Sequence, residues 1–199
     1  MTTWTSSPYI LIDELKDALN IDVTDERRDA ALNSLINSAS RSVDDYCGRY
    51  FGQVGAVGDP VVRTFESTCD GAVIDDLVSM TLLEGQYGTS WTTLSASFYY
   101  TAPRNAATRV PAQPYTVIKA NPFYDLPEVI RITGVWGWPD IPQPIRDATL
   151  LQSVRLFKSK DVALGVIGGA DNMGVLRLSS ALHPDAAFLC APFQRLSLG

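Results

Sequence analysis

The feature that most constrains the fold is a helical repeat of apolar side chains between residues 24 and 48. Apolar residues recur there in steps of one, three and four, which keeps them on one face of a helix for about six turns. Thr24 is a candidate N-cap, and Gly48 is suited to end the helix in the left-handed conformation. We therefore expect a long amphipathic helix whose buried face consists of Leu32, Leu35, Ile36, Ala39, Val43, Tyr46 and Cys47.

A second long helix is predicted for residues 142–160, where apolar side chains again recur at helical spacing. Pro144 is compatible with the first turn of this helix, because the N–H groups of a first turn have no partner within the helix. Lys158 and Lys160 would lie in its last turn, where the helix dipole favours cations.

Between the two helices, residues 60–135 carry short segments rich in Val, Ile, Thr and aromatic residues, separated by Gly, Pro, Asp or Asn. Such segments are typical of an antiparallel sheet. Trp136 and Trp138 follow the last segment, and we expect them to cover the junction between the sheet and the helices. Residues 86–103 contain no charged side chain, which predicts a strand surface that is covered, for example by another subunit.

Short helices are predicted outside the two long ones. The first covers residues 10–21 with Asp13 as its N-cap, and the last begins at Pro184, directly after His183. The predicted fold class is α+β, a helical core of two long and two short helices with an inserted antiparallel β-subdomain. The helical core would consist of residues 1–55 and 136–199, and the β-rich subdomain of residues 56–135.

The charge distribution argues against a protein that binds nucleic acid by its phosphates. The net charge is −6, with −8 over residues 1–130 and +2 over residues 131–199. A phosphate-binding protein normally carries a basic surplus. The sequence also lacks a run of about 20 apolar residues and a signal-peptide pattern, so we expect a soluble protein without membrane contact.

Side chains for catalysis or metal binding do not converge in the sequence. His183 is the only histidine, and its place before Pro184 indicates a helix-entry role. The three cysteines lack metal-ligand spacing and are predicted to be buried thiols. The pairs Asp44–Asp45 and Asp75–Asp76 diverge on a helix or strand and are predicted to be solvated. We therefore predict no catalytic residue, no metal ligand and no cofactor.

Three patterns leave alternatives open. The aromatic residues of the strand-rich segment could form a sugar-binding face, although alternation along strands places half of them in the core. The glycine-rich segment of residues 165–174 resembles a phosphate-binding loop only in its glycines, because the segment follows a helix and contains no basic residue. Four basic residues of the second long helix could pair with acidic residues of a neighbouring subunit, be solvated or contact DNA; they are Arg146, Arg155, Lys158 and Lys160.

Four segments occur in a recognisable order: DELKDALNI, LINSASRSVDDYCGRYF, ITGVWGWPDIPQPIRDATLLQSVRLFK and LHPDAAFLCAPFQR. Together they resemble the head-to-tail connector, or adaptor, family of tailed bacteriophages. That family is similar in its short leading helix, its Tyr-Cys-Gly-Arg-type turn (here residues 46–49) and its Trp-Gly-Trp-Pro entry to the second long helix. The resemblance covers residues 9–52 and 130–195 and implies nothing for the strand-rich middle.

The resemblance implies a structural virion protein that forms a ring of roughly twelve identical copies, each contacting the next through a different face. The ring would lie beneath the portal, around the DNA exit channel, and join capsid to tail. Its partners would be the portal protein, tail or stopper and tail-terminator proteins, and passing DNA without sequence-specific contact. The protein would assemble in the host cytoplasm and reside in the neck of the virion.

The resemblance also suggests roles for particular residues. The basic residues Arg146, Arg155 and Lys158 are candidates for the subunit interface. A channel loop would contain Gly165, Gly168, Gly169, Asp171 and Asn172. An arm that orders on binding the portal would consist of Gln194, Arg195, Leu196, Ser197, Leu198 and Gly199.

Two further interpretations remain open at this stage. Within the same assembly, the chain could be a neck or tail-completion protein at another level. Outside it, the strand-rich segment could be a carbohydrate- or receptor-binding module, whereas an unrecognised hydrolase is disfavoured by the single histidine.

Overall fold

The computed structural model of the protein describes residues 7–165 and 182–195. These residues divide into two compact units. A sheet unit contains residues 50–140, and a helical unit contains the residues before and after it. The chain is therefore of the α+β class, as predicted. Residues 50–55 and 136–140, which we expected in the helical core, lie in the sheet unit.

Besides a short 3-10 helix, Ala191–Phe193, the described part of the helical unit contains four α-helices. They are α1 (Ile12–Ala18), α2 (Asp29–Cys47), α3 (Gln143–Gly165) and α4 (Pro184–Cys190). α2 and α3 pack against each other, and both contact α4. The shared core contains the buried residues Ile10, Leu15, Leu32, Leu35 and Ile36, with Leu150, Val154 and Phe157 partly buried.

The apolar repeat in α2 faces the core as predicted, except that Tyr46 is partly exposed. The predicted start of α2 is wrong, because the helix begins at Asp29 and not after Thr24. The Asp22 carboxylate accepts hydrogen bonds from the Thr24 N–H, at 2.9 Å, and from the Thr24 hydroxyl, at 2.8 Å. Such local side-chain bonds stabilise turns in place of helix. Gly48 ends α2 with a φ of +63°, which confirms its predicted role.

The entry to α1 also differs from the prediction, since Leu11 and not Asp13 occupies the N-cap position. The Leu11 N–H donates to the Glu14 carboxylate at 2.7 Å. Lys16 is buried within this region, and its ammonium group donates to the Val23 carbonyl at 3.0 Å and pairs with Asp29 at 2.7 Å. These contacts give a buried charge the partners that it requires.

The third helix begins where the prolines end the preceding extended segment. The Pro142 carbonyl accepts the Ile145 N–H at 2.9 Å, and Pro144 lies in the first turn as predicted. α3 continues to Gly165, so the prediction that Lys158 and Lys160 lie in its last turn is wrong. In α4 the His183 ring accepts the Asp185 N–H at 3.2 Å, which confirms the helix-entry role of that histidine.

The sheet unit contains seven antiparallel strands. They are β1 (Gln53–Val54), β2 (Val61–Glu66), β3 (Gly71–Tyr87), β4 (Ser90–Thr93), β5 (Tyr99–Ala102), β6 (Tyr115–Ala120) and β7 (Val129–Gly137). The order across the sheet is β1-β7-β3-β6-β5, with β2 also paired to β7 and β4 to β3. The predicted antiparallel sheet is therefore confirmed.

β3 is the longest strand of the sheet. Its first half pairs with β6, with Gly71 opposite Lys119, and its second half pairs with β7, with Gly85 opposite Ile130. The pairing register shifts around Leu77 and again between Met80 and Leu82. Such irregularities bend a strand without ending it, so one strand serves both halves of the sheet.

Both tryptophans of the Trp-Gly-Trp motif are buried in the sheet unit. The Trp136 ring N–H donates to the Val61 carbonyl at 2.9 Å, and its side chain belongs to the sheet core. The Trp138 ring N–H donates to the Asp76 carboxylate at 3.0 Å, and its ring packs on Phe51 with centroids 5.3 Å apart. Among the described residues, no helix has the length and apolar character needed to cross a membrane.

Candidate functional site: assembly surfaces

The end of α2 holds the beginning of the C-terminal segment. The Arg195 N–H donates to the Cys47 carbonyl at 2.8 Å, and the Gln194 side-chain amide donates to the Tyr46 carbonyl at 3.3 Å. The last carbonyls of a helix lack partners within the helix, and these bonds satisfy two of them. We call the group Tyr46, Cys47, Cys190, Gln194 and Arg195 the C-terminal anchor.

Two buried cysteines lie within the C-terminal anchor. The Cys47 thiol donates to the Cys190 carbonyl at 3.8 Å. Hydrogen bonding to Cys190 and burial both raise the pKa of the Cys47 thiol, so it stays protonated. The predicted burial is confirmed for these two cysteines and is wrong for Cys69, which is exposed.

The C-terminal anchor contains the first two residues of the predicted portal-binding arm. Gln194 and Arg195 bind the helical unit, whereas residues 196–199 lie outside the described part of the chain. The predicted channel loop lies largely outside it as well. Of its residues, only Gly165 is described, as the last residue of α3.

The basic residues predicted at a subunit interface do not share one surface. Arg146 pairs with Glu14 of the same unit at 2.5 Å. Arg155 follows nine positions later, which at about 100° per residue places it on the opposite side of α3. Arg155 is half-buried and Lys158 is exposed. An interface role for Arg146, Arg155 and Lys158 stays a prediction.

The pKa of Glu14, the partner of Arg146, is lowered in the folded protein. Burial acts to raise the pKa of the Glu14 carboxyl, but hydrogen bonds from the Leu11 N–H and the Arg146 guanidinium lower it below its usual value. Glu14 and Arg146 line a cleft of about 270 Å³ between α1 and α3. Because two further carboxylates, Asp17 and Asp147, also line it, this cleft is acidic overall.

In the sheet unit, the predicted solvated role of the acidic pair in β3 is wrong for Asp76. Its side chain is buried and accepts the Trp138 ring N–H, while Asp75 pairs with Arg63 at 2.7 Å. On α2 the prediction is also wrong for Asp44, which pairs with Arg41 at 2.9 Å and accepts the Tyr9 hydroxyl. Within the part of the chain that the structure describes, no group of acidic, cysteine and histidine side chains could hold a metal ion.

An ion pair that the sequence did not predict joins β3 and β7. The Arg131 guanidinium donates two hydrogen bonds to the Glu84 carboxylate, both of 2.8 Å. It also stacks over the Trp91 ring, 4.4 Å from the centroid. The hydrogen bond from Arg131 lowers the pKa of the Glu84 carboxyl. The pair depends on the register between β3 and β7, which are far apart in sequence. The spacing of residues in the sequence does not reveal this register.

Many of the uncharged residues 86–103 are exposed on the sheet unit. In β4, Ser90, Thr92 and Thr93 are exposed, and Trp91 lies half-buried under Arg131. β4 pairs with β3 along one edge. Coverage of this surface by another subunit stays a prediction.

The aromatic residues considered for a sugar-binding face are distributed over different surroundings. Phe98, Tyr99 and Tyr115 pack against the sheet core. Tyr100 lies under the Arg104 guanidinium, 3.9 Å from the ring centroid. Phe123 and Tyr124, which follow β6, are both exposed, and the Tyr124 ring stacks on Phe98 with centroids 4.4 Å apart. A sugar-binding face formed by these rings stays an alternative prediction.

Comparisons with known proteins identify the kind of chain to which this fold is similar. Residues 9–94 match the model of a family described as phage gp6-like head-tail connector proteins. A chain in the solved neck of an empty GTA particle, computed with C6 symmetry, has a similar fold with a TM-score of 0.56. It is 16% identical, and the alignment covers 96% of this chain and 93% of that chain. No curated protein sequence matches this chain.

The family match confirms the resemblance to head-tail connectors and changes its extent. It includes α1, α2 and the strands up to β4, so the resemblance extends into the strand-rich segment for which the sequence motifs implied nothing. The motifs of residues 130–195 lie beyond the matched residues.

Proposed function

We propose that this protein is a structural head-to-tail connector of a phage-type particle. In this proposal, copies form a ring beneath the portal, around the DNA exit channel, and join the capsid to the tail. The observation that carries the proposal is the match of residues 9–94 to the connector family. The fold shared with a chain of a GTA-particle neck supports the same location in a virion.

A ring requires a heterologous contact, in which one face of each copy binds a different face of the next. The family resemblance implies roughly twelve copies, and a twelvefold ring contains the sixfold symmetry that was applied to the GTA neck. Assembly would take place in the host cytoplasm, before the tail, stopper or terminator proteins are added.

The charge of the chain suits a channel through which DNA passes. The net charge of −6 repels phosphates, so a wall built of such subunits would guide DNA without retaining it. The protein would contact passing DNA without sequence specificity. The role of the protein would be structural and would use no cofactor.

The C-terminal anchor supports a docking role for the chain end. Gln194 and Arg195 are bound beside the end of α2 and directly precede residues 196–199 in the sequence. We include portal binding by residues 196–199 in the proposal.

Electron microscopy of the purified protein, alone and mixed with its portal protein, tests the proposal. We expect dispersed or weakly associated copies alone, and rings bound coaxially to the portal in the mixture. Two-fold dimers that do not bind the portal would contradict it. Rings that bind an isolated tail or stopper assembly but not the portal would favour a neck or tail-completion role at another level.

A further inference from the structure

Two cysteines meet where α2 and α4 end. Cys47 is the last residue of α2, and Cys190 is the last residue of α4. The Cys47 thiol donates to the Cys190 carbonyl at 3.8 Å, and the two thiol groups hydrogen-bond to each other. The two residues are 143 positions apart in the sequence. Their contact is therefore a product of the fold of the helical unit.

The surroundings of this pair keep the two sulfur atoms together. Both side chains are buried in the helical unit, whereas the third cysteine, Cys69, is exposed in the sheet unit. The main chain at Cys47 is also fixed, because its carbonyl accepts the Arg195 N–H at 2.8 Å. Two thiols held in contact by a packed fold can form a covalent bond without a large movement of the backbone.

We propose that Cys47 and Cys190 form a reversible disulfide bond when the protein meets an oxidising small-molecule disulfide such as oxidised glutathione. The bond joins the last turn of α2 to the last turn of α4. It holds α4 beside α2 even when the hydrogen bonds of Gln194 and Arg195 open. In a reducing compartment the two thiols stay free, so the C-terminal anchor exists in a non-covalent and a covalent form. The inference is independent of the proposed function.

The reaction is thiol–disulfide exchange in two steps. In the first step Cys190 loses its proton, and its sulfur attacks one sulfur of the glutathione disulfide, which releases one glutathione thiolate. In the second step Cys47 loses its proton and attacks the Cys190 sulfur of the mixed disulfide, which releases the second glutathione thiolate. The two released thiolates take up two protons. The cysteines are thus oxidised by two electrons, and one glutathione disulfide is reduced to two thiols.

The contact between the thiols determines which of them reacts first. The hydrogen bond from the Cys47 thiol lowers the pKa of the Cys190 thiol, although burial acts to raise it. Since the thiolate is the nucleophile, Cys190 is the attacking group. The oxidant reaches it when α4, a helix of seven residues, opens locally. We therefore expect oxidation of the pair to be slower than reaction of the exposed Cys69.

The Cys69→Ser chain is the test protein, because it keeps the buried pair and lacks the exposed thiol. The reduced full chain, equilibrated with mixtures of oxidised and reduced glutathione, should lose both alkylatable thiols together. Its intact mass should fall by two hydrogen atoms, and peptide mapping without reductant should join the peptides of Cys47 and Cys190. The oxidised chain should unfold at a temperature roughly 5–15 °C higher than the reduced chain.

Two matched variants control for other effects of glutathione. Cys47→Ala and Cys190→Ala, each added to Cys69→Ser, leave a single thiol that has no partner for an internal disulfide. Neither variant should show a rise in its thermal midpoint in the same mixtures. A rise in either variant equal to that of the Cys69→Ser chain would overturn the proposal, because the stabilisation would not come from the bond.

Burial slows oxidation, so the equilibrium is also approached from the oxidised side. The Cys69→Ser chain is oxidised in urea, refolded and transferred to the same glutathione mixtures. A bond that stabilises the fold should have an equilibrium constant on the order of a hundredfold larger in the folded chain than in urea. A bond that is reduced more readily in the folded chain, or that lowers the thermal midpoint, would overturn the proposal. Failure of the protein to bind the portal would refute the connector function and leave this disulfide site intact.

Discussion

The main-chain N–H of Arg195 donates a hydrogen bond to the carbonyl oxygen of Cys47, 2.8 Å away, across 148 residues of sequence. The bond ties the C-terminal segment to the last turn of α2, where helix carbonyls would otherwise lack partners. Arg195 is therefore a part of the fold of the helical unit. Two deletions that differ by two residues distinguish its structural role from a binding role.

Deletion of residues 196–199 should leave the thermal midpoint unchanged, because it removes neither hydrogen bond of the C-terminal anchor. Deletion of residues 194–199 removes both, and should lower the free energy of unfolding by about 1–2 kcal/mol. Both deletions should abolish attachment to the portal, measured by co-sedimentation. A chain lacking residues 196–199 that still attaches would remove the arm from the proposal.

The left-handed residue at the end of α2 provides a second prediction. Gly48 has a φ of +63°, and a Cβ added there would meet only the Arg195 Cβ, at an ordinary 3.9 Å. Gly48→Ala should therefore cost about 1 kcal/mol through backbone strain alone. Gly58→Ala is the matched control, since Gly58 is surrounded by open space and has no such φ. Chemical denaturation of the two variants gives the comparison, and equal stability would show that α2 does not depend on this cap.

Sequence patterns predicted the elements that are determined locally. The repeat in α2 predicted both the helix and its buried face, because that face recurs within the element itself. Gly48 was predicted as its end for the same reason. The start of α2 was wrong because the Asp22 side chain forms a turn with Thr24, a competition that helix propensity does not include.

The features that sequence did not predict depend on contacts between distant residues. Asp76 looked solvated because its partner, Trp138, lies 62 positions away. The Arg131–Glu84 pair depends on the register between β3 and β7, and the bulges that set this register leave no clear pattern in sequence.

The pairing of Glu84 with Arg131 predicts how acid acts on the sheet unit. The pKa of the Glu84 carboxyl is lowered by the hydrogen bond from Arg131, from an ordinary value of 4.5. A carboxyl with a lowered folded-state pKa stabilises the fold above its unfolded pKa, and this contribution is lost as pH falls through the folded value. Arg131→Gln should shift the Glu84 carboxyl resonance in an NMR titration toward the ordinary value.

The control for this titration is Arg63→Gln, which removes a different arginine of the sheet unit. Arg63 pairs with Asp75 and lies over the Trp136 ring, so its loss should leave the Glu84 midpoint in place. If both variants moved the Glu84 midpoint equally, the shift would come from the general charge of the unit and not from the hydrogen bonds of Arg131.

The buried pair of Asp76 and Trp138 predicts the largest single loss of stability among these variants. Asp76→Ala leaves the Trp138 ring N–H buried without its 3.0 Å acceptor, which should lower the free energy of unfolding by about 1–3 kcal/mol. Asp75→Ala removes a partly exposed pair with Arg63 and should cost about 0–1 kcal/mol. Trp138→Phe removes the donor, so adding it to Asp76→Ala should cost less than the sum of the two single changes. Urea denaturation of the four variants measures this coupling. Strict additivity would mean that the hydrogen bond between Trp138 and Asp76 contributes nothing to the stability of the sheet unit.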